Sequence, residues 1–169
     1  MRAIPTSTCS DRRTAVTLGD DTHASADLNL AGVSVGLMIE GLRFHHIGVV
    51  CRDLDSEQKM FELLGYQREG AEFVDPLQRI RGRFLVGGGP RLELLAATDD
   101  LSPVRPWLQR GVKFYHQAFE TDHLEDALSD LIGRQGRVVV EPVPAVAFNG
   151  RKIAFVMLPG SLLIELIQS

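Results

Sequence analysis

The sequence predicts an α+β fold made of two tandem copies of one small unit, and two observations carry that prediction. The order strand–helix–strand–strand–strand occurs twice between Phe44 and Gln168. Short matches also fall in step with it. His46 and His116 sit on the opening strands, 70 residues apart. Leu92-Glu93-Leu94 and Ile164-Glu165-Leu166 sit on the closing strands at nearly the same spacing. One such unit cannot cover its own sheet, so the two should pack together.

Each element has its own signal. Phe44 to Cys51 (FHHIGVVC) is a β-rich run. Asp53 or Asp55 is placed to cap a helix that turns Met60, Phe61 and Leu64 inward and stops at Gly65. Strand candidates follow at 66–74, 79–86 and 91–97, the last two separated by Gly87-Gly88-Gly89-Pro90. In the bridge SPVRPWLQRG (102–111), Trp107 reads as the anchor of a linker helix. Lys113 to Thr121 opens the second unit, and Asp122 with Glu125 resembles a capping box. Leu124, Ala127, Leu128, Leu131 and Ile132 then form one helical stripe that Gly133 or Gly136 ends. Strand candidates at 137–143, 152–158 and 161–168 are punctuated by Asn149-Gly150 and Pro159-Gly160.

These elements divide the 169 residues into a flexible leader, 1–41, and a single domain, 42–169. The domain holds modules at about 44–97 and 113–168 with a linker over 98–112. Met1 to Leu30 is mostly Thr, Ser, Ala, Asp and Arg with no sustained period, too little apolar area to offset ordering. It lacks the apolar core of a secretory signal, and its four aspartates argue against a transit peptide. Ala31 to Ile39 reads as a weak extra strand, and Met38 as an alternative start. The formal charge of −4 and pI near 5.7 exclude a protein whose main task is binding nucleic acid through a broad basic face. No run approaches ~18 apolar residues, so no membrane span is expected. Two cysteines, Cys9 and Cys51, provide neither a disulfide framework nor a Cys-rich zinc site, which makes the cytoplasm the expected compartment.

Four residues stand out chemically: His46, Glu93, His116 and Glu165. A histidine on an apolar strand is more often a core residue than a ligand. The two glutamates are stranger, because each interrupts a largely apolar strand. A carboxylate on an inward face costs several kcal/mol unless it is paired or binds a metal. A pseudo-twofold arrangement of the two units would bring all four residues to one centre. Two imidazoles and two carboxylates suit one divalent ion of Zn, Co, Ni, Mn or Fe, and the lack of a thiolate favours a catalytic over a structural site. By alternation, His45 should point away from His46. Cys51 reads as a small buried hydrophobe.

The segments FHHIGVVCRDLD, RLELLA, FYHQAFETDHLEDAL and LLIELIQ resemble the vicinal oxygen chelate superfamily, which groups glyoxalase, bleomycin-resistance and dioxygenase proteins. The resemblance covers about Phe44 to Gln168, and SPVRPWLQRG with the order of motifs is most similar to the methylmalonyl-CoA epimerase branch. It implies two tandem βαβββ modules forming a curved mixed sheet around a metal-binding cleft. It also implies metal ligands at His46, Glu93, His116 and Glu165. Two departures leave the reaction open. Epimerases of this family commonly have Gln at the position of Glu93, whereas glyoxalase I commonly has Glu. The epimerases also place a second carboxylate on the strand corresponding to 79–84, where this chain has Arg79, Arg81 and Arg83. Arg81, Arg83 and Arg151 are therefore candidates for an anionic substrate group.

The expectation is a divalent-metal-dependent enzyme that stabilises the enolate of a small carbonyl or acyl-thioester substrate, in the manner of an epimerase or isomerase. Glu165 or Glu93 would act as catalytic base. Acyl-CoA or another thioester is the expected small-molecule partner, and relatives of this size often form homodimers. A glyoxalase-I-like lyase is the close alternative. An extradiol-type dioxygenase and a non-catalytic small-molecule binder are the more distant ones.

Overall fold

The computed structural model describes residues 39–169. Residues 1–38 of the 1–41 leader, the alternative start at Met38 and nearly all of the 31–39 strand candidate lie outside these residues. The first unit contains β1 (Arg43–Val50), α1 (Leu54–Glu62), β2 (Gln67–Asp75), β3 (Ile80–Val86) and β4 (Leu92–Ala97). A short helix, α2 (Arg105–Gln109), lies in the bridge. The second unit contains β5 (Phe114–Thr121), α3 (Leu124–Gly133), β6 (Arg137–Pro144), β7 (Lys152–Leu158) and β8 (Leu162–Gln168).

All eight strands join one mixed sheet in the order β2-β3-β4-β1-β5-β8-β7-β6. Within each unit the first and last strands are parallel, β1 with β4 and β5 with β8. The units meet where β1 runs antiparallel to β5. The sheet is open, with β2 and β6 as its edges, yet it curls. Asp75 at the end of β2 accepts a hydrogen bond of 3.1 Å from the backbone N–H of Val146, just beyond β6.

Strand alternation sorts the apolar residues onto two faces. On the outer face, α1 packs Leu54 and Phe61 against Val49, Cys51, Leu85, Leu92 and Leu94. There, too, α3 packs Leu124, Ala127, Leu128 and Leu131 against Ala154, Val156, Ile164 and Leu166. Each fully buried leucine of this kind contributes about 1.5–3 kcal/mol. The inner face draws on both units and gathers Phe84, Ala118, Phe148, Ile153, Phe155 and Ile167.

Three local expectations need correction. Met60 and Leu64 are exposed, at 61% and 66%. The helix begins at Leu54, so Leu54 and Phe61, seven residues apart, define its inner stripe, while Leu64 lies past its end. Ile132 is half exposed, because the stripe begun at Leu124 is complete by Leu131. Asp122 does not cap α3. Its carboxylate accepts from Arg43, and the Thr121 hydroxyl accepts from the backbone N–H of His123 instead. The other helix start is as expected: Asp53 caps α1 by accepting from the backbone N–H of Ser56 at 2.8 Å. Trp107 anchors α2 edge-on against Tyr115, with centroids 5.2 Å apart.

Candidate functional site

Each unit sends one histidine from its first strand and one glutamate from its last strand to the inner face. His46 and Glu93 come from β1 and β4, and His116 and Glu165 from β5 and β8. Because β1 and β5 are neighbours, the four side chains converge. His46 Nε2 lies 3.0 Å from His116 Nε2, 3.1 Å from Glu93 Oε2 and 3.4 Å from Glu165 Oε2. His116 Nε2 lies 3.3 Å from Glu165 Oε2 and 3.6 Å from Glu93 Oε2. One ligand atom from each residue falls within 4.8 Å of every other. All four residues are buried, His46 completely.

The electrostatics of this centre are unusual. Burial depresses both imidazoles, His46 to about 3 and His116 to about 4, so both are neutral at pH 7. Burial raises both carboxyl groups well above the usual range, and the charge of Glu93 pushes Glu165 further in the same direction. Glu165 Oε2 and His116 Nδ1 have no hydrogen-bond partner among the described residues. Neutral imidazole is the form in which histidine ligates a divalent cation, and the two desolvated acids would give up their protons on binding one. The five spacings that involve a histidine nitrogen, 3.0–3.6 Å, also match the separation of about 3.3 Å expected between ligands bound tetrahedrally at about 2.0–2.1 Å. The residues therefore fit a divalent metal of the Zn, Co, Ni, Mn or Fe type.

The surroundings repeat by unit. Phe84 pairs with Glu93 across β3–β4 and stacks edge-on to His46 at 5.5 Å. Phe155 pairs with Glu165 across β7–β8 and stacks edge-on to His116 at 5.2 Å. Gly48 faces His116, where an added Cβ would stand 2.3 Å from the ring. Over the centre sits the 3-10 turn Val146–Phe148, whose Phe148 ring packs 6.0 Å from that of His46. The remaining cavity beside Glu93, His116 and Glu165, closed by Tyr115, Phe148 and Phe155, is only about 10 Å³, the scale of a single water.

The other sequence candidates fall elsewhere. Arg81 and Arg83 alternate with Ile80 and Phe84 and project from the opposite face of β3, so they do not reach the centre. Arg83 is buried against Glu72 (2.6 Å) and Asp55 (2.8 Å), and Arg81 lies 3.5 Å from Glu72. Strand parity thus places both on the face opposite His46, Glu93, His116 and Glu165. Arg151 is nearer the cleft, 5.6 Å from the Phe148 ring, but donates to Glu120 at 2.6 Å. Cys51 is buried on the helix-covered face, which pushes its thiol up to about 12 and removes it as a nucleophile.

Sequence reasoning missed or misplaced four residues: His45, Tyr115, Asp75 and Gly48. His45 does not point away from His46. The β1–β5 register slips between Phe44 and His46, and this bulge brings the two rings within 5.0 Å. A second slip, between Gly48 and Val49, turns Tyr115 beside His116 in the same way. Asp75 is a buried acid that helps to raise Glu93, and it accepts from Gln78 and Val146. Only Gly48 had a signal of its own, as an isolated glycine within an apolar strand.

The profile of the Glyoxalase/Bleomycin resistance protein/Dioxygenase superfamily matches residues 45–155, and the chain belongs to that superfamily. Among solved structures it is similar to a variant of Streptomyces coelicolor methylmalonyl-CoA epimerase in complex with 2-nitronate-propionyl-CoA. That match has 28% identity and a TM-score of 0.65 over 76% of this chain and 98% of the other. A methylmalonyl-CoA epimerase from Mycobacterium tuberculosis matches with 27% identity and a TM-score of 0.63, over 76% and 87% of the two chains. A hypothetical protein from Bacillus halodurans matches with 25% identity and a TM-score of 0.65, over 76% and 94%. No curated protein sequence matches the chain. No helix among the described residues is long and apolar enough to cross a membrane.

Proposed function

We propose that this protein is a divalent-metal-dependent enzyme that removes and returns the α-proton of a small carbonyl or acyl-thioester substrate, as an epimerase does. The observation that carries the proposal is the convergence of two neutral imidazoles and two carboxyl groups of raised pKa in one dry centre. His46, Glu93, His116 and Glu165 would hold the ion. Bound there, a divalent cation supplies Lewis-acid polarisation of substrate oxygens.

The chain's own groups account for the proton. A carboxylate whose pKa is lifted toward neutrality is matched to general-base work. Glu165 and Glu93 are such groups, and they approach from the last strands of different units. Phe84, Phe148 and Phe155 exclude water, which keeps those acids basic and protects a carbanionic species from solvent. With so little room at the centre, a substrate would have to displace part of the wall that Tyr115, Phe148 and Phe155 form. A small-molecule thioester such as an acyl-CoA is supported by the epimerases that share the fold, one of them solved with methylmalonyl-CoA. A cytoplasmic location and a homodimer complete the reading.

Glu at position 93 favours one second reading, a glyoxalase-I-like lyase acting on a thiol-adduct hemithioacetal. Metal-loaded protein is incubated in D₂O with an acyl-CoA carrying an acidic α-proton and, separately, with a hemithioacetal. Deuterium entering the α-position of the thioester is the expected result. Product from the hemithioacetal alone selects the lyase, and no exchange or product with either substrate overturns both readings.

A further inference from the structure

The bulge in β1 places His45 against the outer nitrogen of His46. The two Nδ1 atoms are 2.7 Å apart. On its far side, His45 Nε2 lies 2.8 Å from Arg91 Nη1, and Glu120 Oε1 stands 4.0 Å from the same nitrogen. Arg91 is itself held, by donating to Glu69 at 2.6 Å and by stacking on Phe84 with its guanidinium carbon 3.9 Å from the ring centre. The second unit has no such chain, since Tyr115 replaces His45 and His116 Nδ1 has no partner among the described residues.

The donor inventory sets the direction of this chain. A guanidinium can only donate, and a neutral imidazole carries one hydrogen. Arg91 therefore donates to His45 Nε2, His45 Nδ1–H donates to His46 Nδ1, and His46 Nε2–H points at Glu93 Oε2, 3.1 Å away. Every nitrogen is then satisfied, but His46 presents a hydrogen to the centre, whereas a metal needs its lone pair.

We propose that His45 is a positioning residue that sets which nitrogen of His46 is protonated, and that Arg91 holds the pair in the sense that keeps metal out. Loading reverses the chain. His46 Nδ1–H then donates to His45 Nδ1, and His45 Nε2–H turns from Arg91 toward Glu120. The hydrogen of His45 Nδ1 would pass to His46 Nδ1, and the hydrogen lost from His46 Nε2 would be matched by the one gained at His45 Nε2, so the two imidazoles together neither gain nor lose a hydrogen, and any proton released on loading comes from the carboxyl groups. The inference rests on the reading of the four residues as a metal centre.

The test uses the full chain, labelled with ¹⁵N-histidine and examined first metal-free and then with Zn²⁺. Long-range ¹H–¹⁵N spectra distinguish the two tautomers. His46 should carry its hydrogen on Nε2 when metal-free and on Nδ1 with zinc, and an Nδ1–H tautomer in both states overturns the proposal. Zn²⁺ affinity, measured against a competing chelator, should fall about 10–100-fold in His45→Phe and recover in part in His45→Gln. Arg91→Gln should bind Zn²⁺ about threefold or more tightly, because the binding-competent tautomer is no longer opposed. Unchanged affinity in His45→Phe overturns the proposal, as does weakened affinity in an Arg91→Gln protein that melts like wild type. If wild type binds no Zn²⁺, the metal-centre reading falls and this proposal with it. If wild type binds and the variants match it, this proposal alone falls.

Discussion

The two units share a plan but differ in how they hold their halves of the centre. In the first, His46 is buttressed at Nδ1 by His45, backed by Arg91 and Glu120. In the second, His116 is buttressed by shape: Tyr115 and Phe155 pack edge-on to its ring and Gly48 makes room for it, while its Nδ1 has no partner among the described residues. Polar contacts thus orient one histidine and packing orients the other. A duplicated fold can keep the position of a side chain while changing the force that holds it, because strand register fixes the position and the neighbours supply the force.

The largest effect should come from the two acids. Glu165→Gln is expected to lower α-proton exchange by about 10²-fold or more, whereas Glu93→Gln, which installs the residue common in the epimerases, should retain more activity. The reverse order, measured as kcat by solvent deuterium incorporation, would move the base to the first unit. Next come the small residues that face the histidines. Gly48→Ala forces a methyl group into the His116 ring and should cost about 1–3 kcal/mol, read from the denaturant midpoint, together with most of the metal affinity. Ala118→Gly at the matching position of the second unit should cost about 1 kcal/mol and leave metal binding nearly intact. Equal losses would mean that packing does not distinguish the units.

Stability against pH sharpens the comparison further. His45, His46 and His116 have folded values below the ordinary 6.5, so the stability they confer is complete above 6.5 and is lost as pH falls. Glu93 and Glu165 have folded values above the ordinary 4.5, so their contribution is present at low pH and is lost as pH rises. The two effects oppose each other between 4.5 and 6.5, and above 6.5 only the glutamates act. Metal-free protein should therefore melt at progressively lower temperature from about pH 6.5 to pH 8, and saturating Zn²⁺ should flatten the slope. Each single glutamate-to-glutamine change should remove part of that slope, and one variant removing all of it would show that the units do not share the charge. The smallest effect concerns the arginines. Arg81→Ala, on the helix-covered face, should leave KM within about twofold, while Arg151→Ala, beside Phe148, should raise it more.

Much of this centre was legible in the chain. The duplicated order of elements, the eight strands to within one or two residues, and His46, Glu93, His116 and Glu165 all follow from alternation, turn chemistry and the in-step matches. What escaped was set where alternation fails. His45 and Tyr115 reach the inner face through register slips that no local pattern announces. That Arg81 and Arg83 fall on the face away from the centre could not be read locally, because a strand's parity relative to the core depends on what covers each face. The closing turn at Val146–Phe148 depends on a contact with Asp75 that spans 71 residues.

The sequence by itself determined the repeated α+β plan and the residue types at the centre, since period, capping and turn preferences act over a few residues. The tertiary structure decided that the four donors meet, that water is excluded from them and that one histidine leans on another. Those outcomes arise from the β1–β5 junction and the curl of the sheet, which are set by packing between units far apart in the chain.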